Sequence, residues 1–289
     1  MPELISVPTL TKLPPPNERV TTISPARRRL RSGFSEFWQR RQLLYVLVWR
    51  DMKVRYKQTV LGIAWALLQP FLIMAVISLV FGRFARVPSN GVPYPVFFFC
   101  GLLPWQLFAY GVVRSCNSLV ENRYLVTRVH VPRLILPVSA VLAGLLDFAV
   151  AFVLLLGIMF YYGVGISPAA LAVVPLLVLV VATSIAVGLL LSALNVRYRD
   201  VGYAVPLLAQ LWFFVTPVAY PASLVPERWR WFYELNPMAG AVDGFRWALL
   251  SSREAGGIPS VASVVAVVVM LVLGVFYFHC AERTFADVV

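Results

Sequence analysis

The residue types that do chemistry are sparse in this sequence and poorly placed for it. The five aspartates, at 51, 147, 200, 243 and 287, are never closer than 43 residues. No DxD or clustered-carboxylate arrangement is there to hold a metal for glycosyl transfer. Two isolated histidines, His130 and His279, exclude an HExxH zinc site. Cys100, Cys116 and Cys280 show no CxxC spacing and no even-numbered framework, so neither a metal site nor a disulfide scaffold is suggested. The lysines are Lys12, Lys53 and Lys57, and none follows a glycine. A phosphate-cradling loop needs GK[ST], so the chain cannot hydrolyse ATP by that route. We therefore expect no catalytic residues and no metal ligands. One residue stands apart: Asp147 is the only charge in the 63 residues from Leu134 to Val196. Acids inside a membrane are functional by default. A single one supplies no ion-coupling relay, and pairing with a neighbouring helix is the alternative.

The elements that must position such residues follow from composition. Of 289 residues, 60% are hydrophobic and 13% charged, with mean hydropathy +0.79. A soluble domain is about 45–50% apolar and about 25% charged. An ordinary soluble enzyme and a disordered chain are both excluded. About 20 apolar residues cross a bilayer as a helix. Runs of that kind predict six spans, at about 60–82, 92–113, 136–162, 169–194, 201–221 and 258–280. Gly163, Gly165, Ser167 and Pro168 mark the turn between the third and fourth. Pro104 and Pro175 lie inside spans and are expected to kink them.

The net charge of +12 has a topological meaning. An even number of spans puts both termini on one face, and that face carries 19 Lys and Arg against 6 on the other. The positive-inside rule places it in the cytoplasm. Nothing in the excess calls for nucleic acid. Residues 1–36 are rich in Pro and Arg, lack an apolar stretch, and read as a disordered basic tail rather than a signal peptide.

Four segments lie outside the spans and can be read one by one. Within 37–58, Tyr45, Val48, Trp49, Met52 and Tyr56 share one helical stripe, with Arg50, Lys53 and Lys57 on a neighbouring face. A basic amphipathic helix of this kind lies on a membrane surface. It is either a simple anchor or also a contact for a partner subunit. The loop 121–133 is short and basic, yet carries Tyr124, Leu125, Val126, Val129 and Val131, which suits a docking surface, a solvated loop that only carries the positive-inside charge being the alternative. His130, in the same loop, reads as a polar surface residue, and His279 as an interface residue. The turn Asn195–Asp200 reads as a helix end with interface anchors. The external segment 221–257 has no net charge but holds six aromatic residues. There Asn236 and Pro237 read as N-cap and first helical residue. Met238, Val242, Phe245 and Leu249 then form one face of a helix that dips into the outer leaflet, a candidate pore mouth; an interfacial helix with an aromatic belt is the alternative.

At this point a resemblance emerges. Arg50–Pro70 resembles the start of permease subunits of polysaccharide-exporting ABC transporters, the Wzm and TagG type of ABC-type-2 membrane subunit. Val131–Pro137, Asn195–Asp200 and Leu235–Pro237 match further motifs in the same order, so the likeness covers nearly everything but the tail. The resemblance implies an all-α polytopic membrane protein with six transmembrane helices and an N-terminal amphipathic interface helix. It also implies re-entrant external helices between spans five and six. The transmembrane domain would occupy 59–284. The interface helix would present Trp49, Arg50, Lys53, Arg55 and Lys57. A coupling helix with Leu125, Val126, Thr127, Arg128, His130, Pro132 and Arg133 would dock on the ATPase subunit. Asn236, Pro237 and Arg246 would form the external gate. Two copies would pair, with spans one and five lining a channel for a sugar chain. Trp65, Trp212, Phe213 and Phe214 are the candidate channel residues, since aromatic rings give sugars a smooth apolar surface; for Trp212, Phe213 and Phe214 the alternative is that they face lipid. The chain would bind no cofactor, ATP and magnesium sitting in the partner. Its partners would be that ATPase, a second copy, the bilayer and a polysaccharide, in the cell inner membrane. Export of drugs or small lipids is the alternative within the class, and a membrane-embedded glycan-modifying enzyme the alternative outside it.

Overall fold

In lipid the backbone must satisfy its own hydrogen bonds, so continuous apolar runs fold as helices. The computed structural model describes residues 39–57, 64–128, 132–250 and 260–282, and these contain no strand. The expected tail and His130 lie outside the described residues. The helices are α1 (Arg41–Lys57), α2 (Ala64–Ile77, continued by a π-helical stretch Ser78–Phe84), α3 (Tyr94–Glu121) and α4 (Arg123–Arg128). Then follow α5 (Ile135–Tyr161), α6 (Val173–Arg197), α7 (Asp200–Val215), α8 (Arg230–Leu235), α9 (Pro237–Leu250) and α10 (Val261–Ala281).

Among the described residues five segments are long and apolar enough to cross a membrane: Ala64–Phe84, Tyr94–Glu121, Ile135–Tyr161, Pro168–Arg197 and Val261–Ala281. The fifth expected span is shorter than its apolar run. Its helix, α7, has 16 residues, a rise of about 24 Å at 1.5 Å per residue. That falls short of a hydrocarbon core about 30 Å thick. The chain leaves α7 at Thr216 and turns while still inside the protein, with Thr216 and Val218 fully buried.

Helix α3 is the centre of the bundle. It packs between α5 and α6 and also touches α7 and α9. Phe98, Phe99 and Phe108 on α3 are wholly buried. Helix α10 packs on the outer side of α6, and α1 lies along α5. The turn between α5 and α6 forms where the sequence marks it. Gly163 takes a left-handed conformation (φ +68°), the Ser167 hydroxyl accepts from the Ala169 N–H at 3.1 Å, and Pro168 opens a 3-10 turn. Pro104 sits within a continuous α3, whereas Pro175 is the third residue of α6. Pro175 thus stands in the first turn of α6, where proline is well tolerated.

Candidate functional site

A cavity of about 900 Å³ opens among the end of α1 and helices α2, α3, α5 and α7. Its walls follow helical spacing. On α3 the lining residues Leu102, Gln106, Tyr110 and Arg114 recur every four positions, and on α7 Pro206, Gln210 and Phe213 share one face. Trp65, Trp105 and Phe213 supply aromatic surface, with Phe213 edge-on to Trp105 at 5.8 Å. Gln69, Gln106 and Gln210 place carboxamides among them. The groove is therefore apolar in body with neutral hydrogen-bonding groups at intervals.

Its charged members gather at one end. Arg55, Tyr56, Arg114 and Asp147 all line the cavity. Asp147 accepts hydrogen bonds from the Arg55 guanidinium on one carboxylate oxygen and from the Tyr56 hydroxyl on the other. The guanidinium also lies over the Tyr110 ring, 4.1 Å from its centroid. Asp147 thus pairs with a neighbouring helix, and that helix is the amphipathic α1. It lies twelve residues into α5, about 18 Å along the axis, so the pair sits near the middle of that helix.

The structure divides the four channel candidates. Trp65 and Phe213 line the groove. Trp212 points elsewhere: it meets Phe108 edge-on at 5.0 Å and donates its indole N–H to Asn236 Oδ1 at 3.3 Å. Phe214 is 61% exposed and lies outside the groove lining.

The external candidates converge on the turn after α7. Asn236 caps α9, its Oδ1 accepting from the Met238 N–H at 3.1 Å, while its Nδ2 donates to Thr216 Oγ1 at 3.1 Å. Pro237 opens the helix and is buried. Met238, Val242, Phe245 and Leu249 are all buried, so the expected stripe faces protein rather than lipid. Arg246 is the largest wholly buried side chain. Its Nη1 donates to Pro217 O at 2.7 Å and its Nη2 to Val218 O at 2.6 Å. Longer bonds of 3.4 Å reach Tyr220 O and Phe97 O, and the guanidinium lies 3.7 Å from the Phe97 ring centroid. Tyr94 adds a bond to Ala219 O at 2.7 Å. Asp243 stands 3.6 Å from Arg246 and accepts from the Tyr233 hydroxyl at 2.9 Å. Burial, then the Asp243 carboxylate, push the Tyr233 phenol well above its ordinary value, so it remains the donor.

On the opposite side, the structure sorts the docking candidates into anchors and surface. Val126 is buried in a cluster with Leu47, Leu119 and Leu136, Leu125 packs against that cluster, and Pro132 is also buried. These three hold the segment in place. Thr127 is exposed, its hydroxyl bonded to Arg123 O at 3.0 Å. Arg133 donates to Glu282 O at the end of α10. Arg128 ends α4. On α1, Trp49, Lys53 and Lys57 are exposed while Arg50 and Arg55 are half-buried. The expected stripe splits, since Tyr45 and Trp49 face outward and the side of α1 against the bundle is set by Leu43, Leu44 and Leu47.

Residues 42–250 match the profile of the ABC-2 type transporter family. The chain belongs to that family. It is 33% identical over 255 residues to an O-antigen export system permease protein of Myxococcus xanthus, covering 87% of this chain and 97% of the relative. A protein of the same description from Klebsiella pneumoniae is 28% identical over 247 residues, 85% of this chain and 94% of its own. A polysialic acid transport protein of Escherichia coli is 22% identical over 255 residues, 88% of this chain and 97% of its own.

Two features of this ABC-2 transporter chain escaped sequence reasoning. Of its six glutamines, the three inside spans are the three that line the groove. A carboxamide in an uncharged span was the available signal. The other is Asn195, 2% exposed. Its Nδ2 donates to Cys116 O and to Asn117 Oδ1, both at 3.0 Å, and its Oδ1 accepts from the Gly202 N–H at 2.9 Å. One side chain ties α3, α6 and α7 together. An intramembrane amide needs such partners, but the turn Asn195–Asp200 gave no hint of which.

Proposed function

We propose that this chain is the membrane permease subunit of an ABC exporter that moves a lipid-linked polysaccharide, such as an O-antigen, teichoic acid or another cell-envelope glycan, across the cytoplasmic membrane. The observation that carries the reading is the groove. Sugars present apolar faces that stack on aromatic rings and hydroxyls that exchange hydrogen bonds with amides, and Trp65, Phe213 and the three glutamines offer both. Neutral amides give exchangeable contacts without deep traps, which suits a chain that must slide. The names of the relatives point the same way.

In this reading two copies pair so that their grooves face one another, and both termini are cytoplasmic. A separate subunit binds ATP and magnesium, docking at α4, where Thr127 is exposed and Arg128 ends the helix, while this chain transports and performs no chemistry. The test deletes the gene and follows the glycan. We expect the polymer to disappear from the surface and to accumulate inside, with complementation by the wild-type chain. Undiminished surface glycan refutes the substrate. Co-purification of the ATPase with wild type and with Arg128→Glu tests docking, and unchanged association removes that role.

A further inference from the structure

The polar end of the groove does more than line it. Leu47 is the one fully buried residue of α1. It anchors the first half of the helix in an apolar cluster with Leu119, Ile135 and Leu136. Beyond Leu47 the helix is held by polar contacts. Arg50 donates to Asn122 Oδ1 at 2.9 Å, and Arg55 and Tyr56 both bond Asp147. Apolar burial changes gradually with displacement, whereas a directional hydrogen bond is lost beyond a few tenths of an ångström. Helix α1 therefore has a greasy hinge at one end and a breakable polar clasp at the other. The clasp stands in the half of the groove nearer α4, because Arg55 covers Tyr110 and α3 runs from there through Arg114 to α4.

We propose that Asp147, through Arg55 and Tyr56, is a latch by which α1 closes the cytoplasmic end of the groove, making Asp147 a positioning residue for substrate passage. A carboxylate at this depth is tolerated because it is paired, yet Asp147 faces a cavity, its side chain 30% exposed. Breaking the pair releases both partners into a polar, accessible space, not into lipid. Asn122 lies between α3 and α4, so its bond to Arg50 gives displacement of α4 a direct route to the latch helix. The proposal rests on the transport reading above, but its test needs no sugar.

The test measures access to the groove. The exposed Cys280 is replaced by serine, Cys100 and Cys116 being buried, and Gln106→Cys, one turn beyond Tyr110, supplies the reporter. A membrane-impermeant maleimide is added to inside-out vesicles holding the full chain with its ATPase subunit and no nucleotide. Asp147→Asn and Arg55→Gln should each speed labelling about tenfold, as expected for a lost contact worth one decade in the closed-to-open ratio. The double variant should go no further than either single one, and Asp147→Glu should stay near the reference. If Asp147→Asn is not recovered folded, Arg55→Gln removes the same contact from a half-exposed position and decides the matter. Unchanged labelling in Arg55→Gln overturns the latch, as does an equal rise in Val54→Ala on the outward face of α1. Faster labelling in a protein that exports no glycan keeps the latch and removes the substrate. Unchanged labelling in a competent exporter does the reverse.

Discussion

Replacing Arg246 by methionine should loosen the external turn while leaving the rest of the bundle folded. Methionine has similar length and fills the space, so the loss is in the bonds. Two short ones, to Pro217 O and Val218 O, would leave buried carbonyls without donors. Hydrogen bonds from a charged donor contribute about 1.5–3 kcal/mol each, and a desolvated cation over a ring about 2 kcal/mol. Against this, removing a buried guanidinium recovers its desolvation penalty, several kcal/mol. Apolar replacement of both partners of a buried charge pair is often harmless, but these partners are backbone carbonyls and cannot be replaced. Asp243 would also lose its neighbour. The net cost should resemble that of a broken buried pair, about 3–5 kcal/mol. Hydrogen exchange read by mass spectrometry on the peptide covering residues 216–220 is the assay. At about 1.4 kcal/mol per decade, local opening should speed exchange by roughly two to three and a half decades, with Arg246→Lys between, since an ammonium lacks the planar fork. Gly101 provides an internal check. A Cβ there would lie 2.8 Å from Arg246 Nη2 and 3.1 Å from Val242 Cγ1, so Gly101→Ala should disturb the turn in the wild type and less in an Arg246→Ala background, where the Val242 contact alone remains. Unchanged exchange in Arg246→Met would refute the pinning argument, and equal effects of Gly101→Ala in both backgrounds would refute the geometry.

Three further outcomes are expected. Trp212→Ala should destabilise the protein by about 2–3 kcal/mol, just below the range for wholly buried aromatics because Trp212 is part-buried, since the indole packs on Phe108 and bonds Asn236. Phe213→Ala should instead lower export with little loss of stability; thermal midpoints beside surface glycan would expose the opposite pattern. Asn195→Ala should cost about 2–4 kcal/mol for three lost bonds at about 1 kcal/mol each, and Asn195→Asp no less, since its carboxylate would face Asn117 Oδ1; wild-type midpoints in both would show that the tie is dispensable. In Gly274→Ala, the new Cβ would stand 2.5 Å from the Ala186 carbonyl oxygen. Backbone cannot rotate aside, so α10 must move off α6 at about 1–3 kcal/mol, and an unshifted midpoint would argue against that close approach.

The sequence by itself determined the helices and several of their ends. Continuous apolar runs leave lipid-embedded backbone no other solution, and caps such as Ser167 and Asn236 act through local geometry that spacing reveals. The external helix was legible for the same reason, its apolar stripe being strict. What the tertiary structure decided is which face of each span meets protein. A helix apolar all round carries no pattern that separates lipid from neighbour. Trp212 and Phe213 are adjacent aromatics in one apolar run, yet one packs on Phe108 and the other lines the groove. The partners of polar residues are long-range for the same reason. Asp147 finds Arg55 across 92 residues, and Arg246 finds Phe97 O across 149. No spacing rule relates such pairs, because the helices that bring them together are ordered by packing around α3.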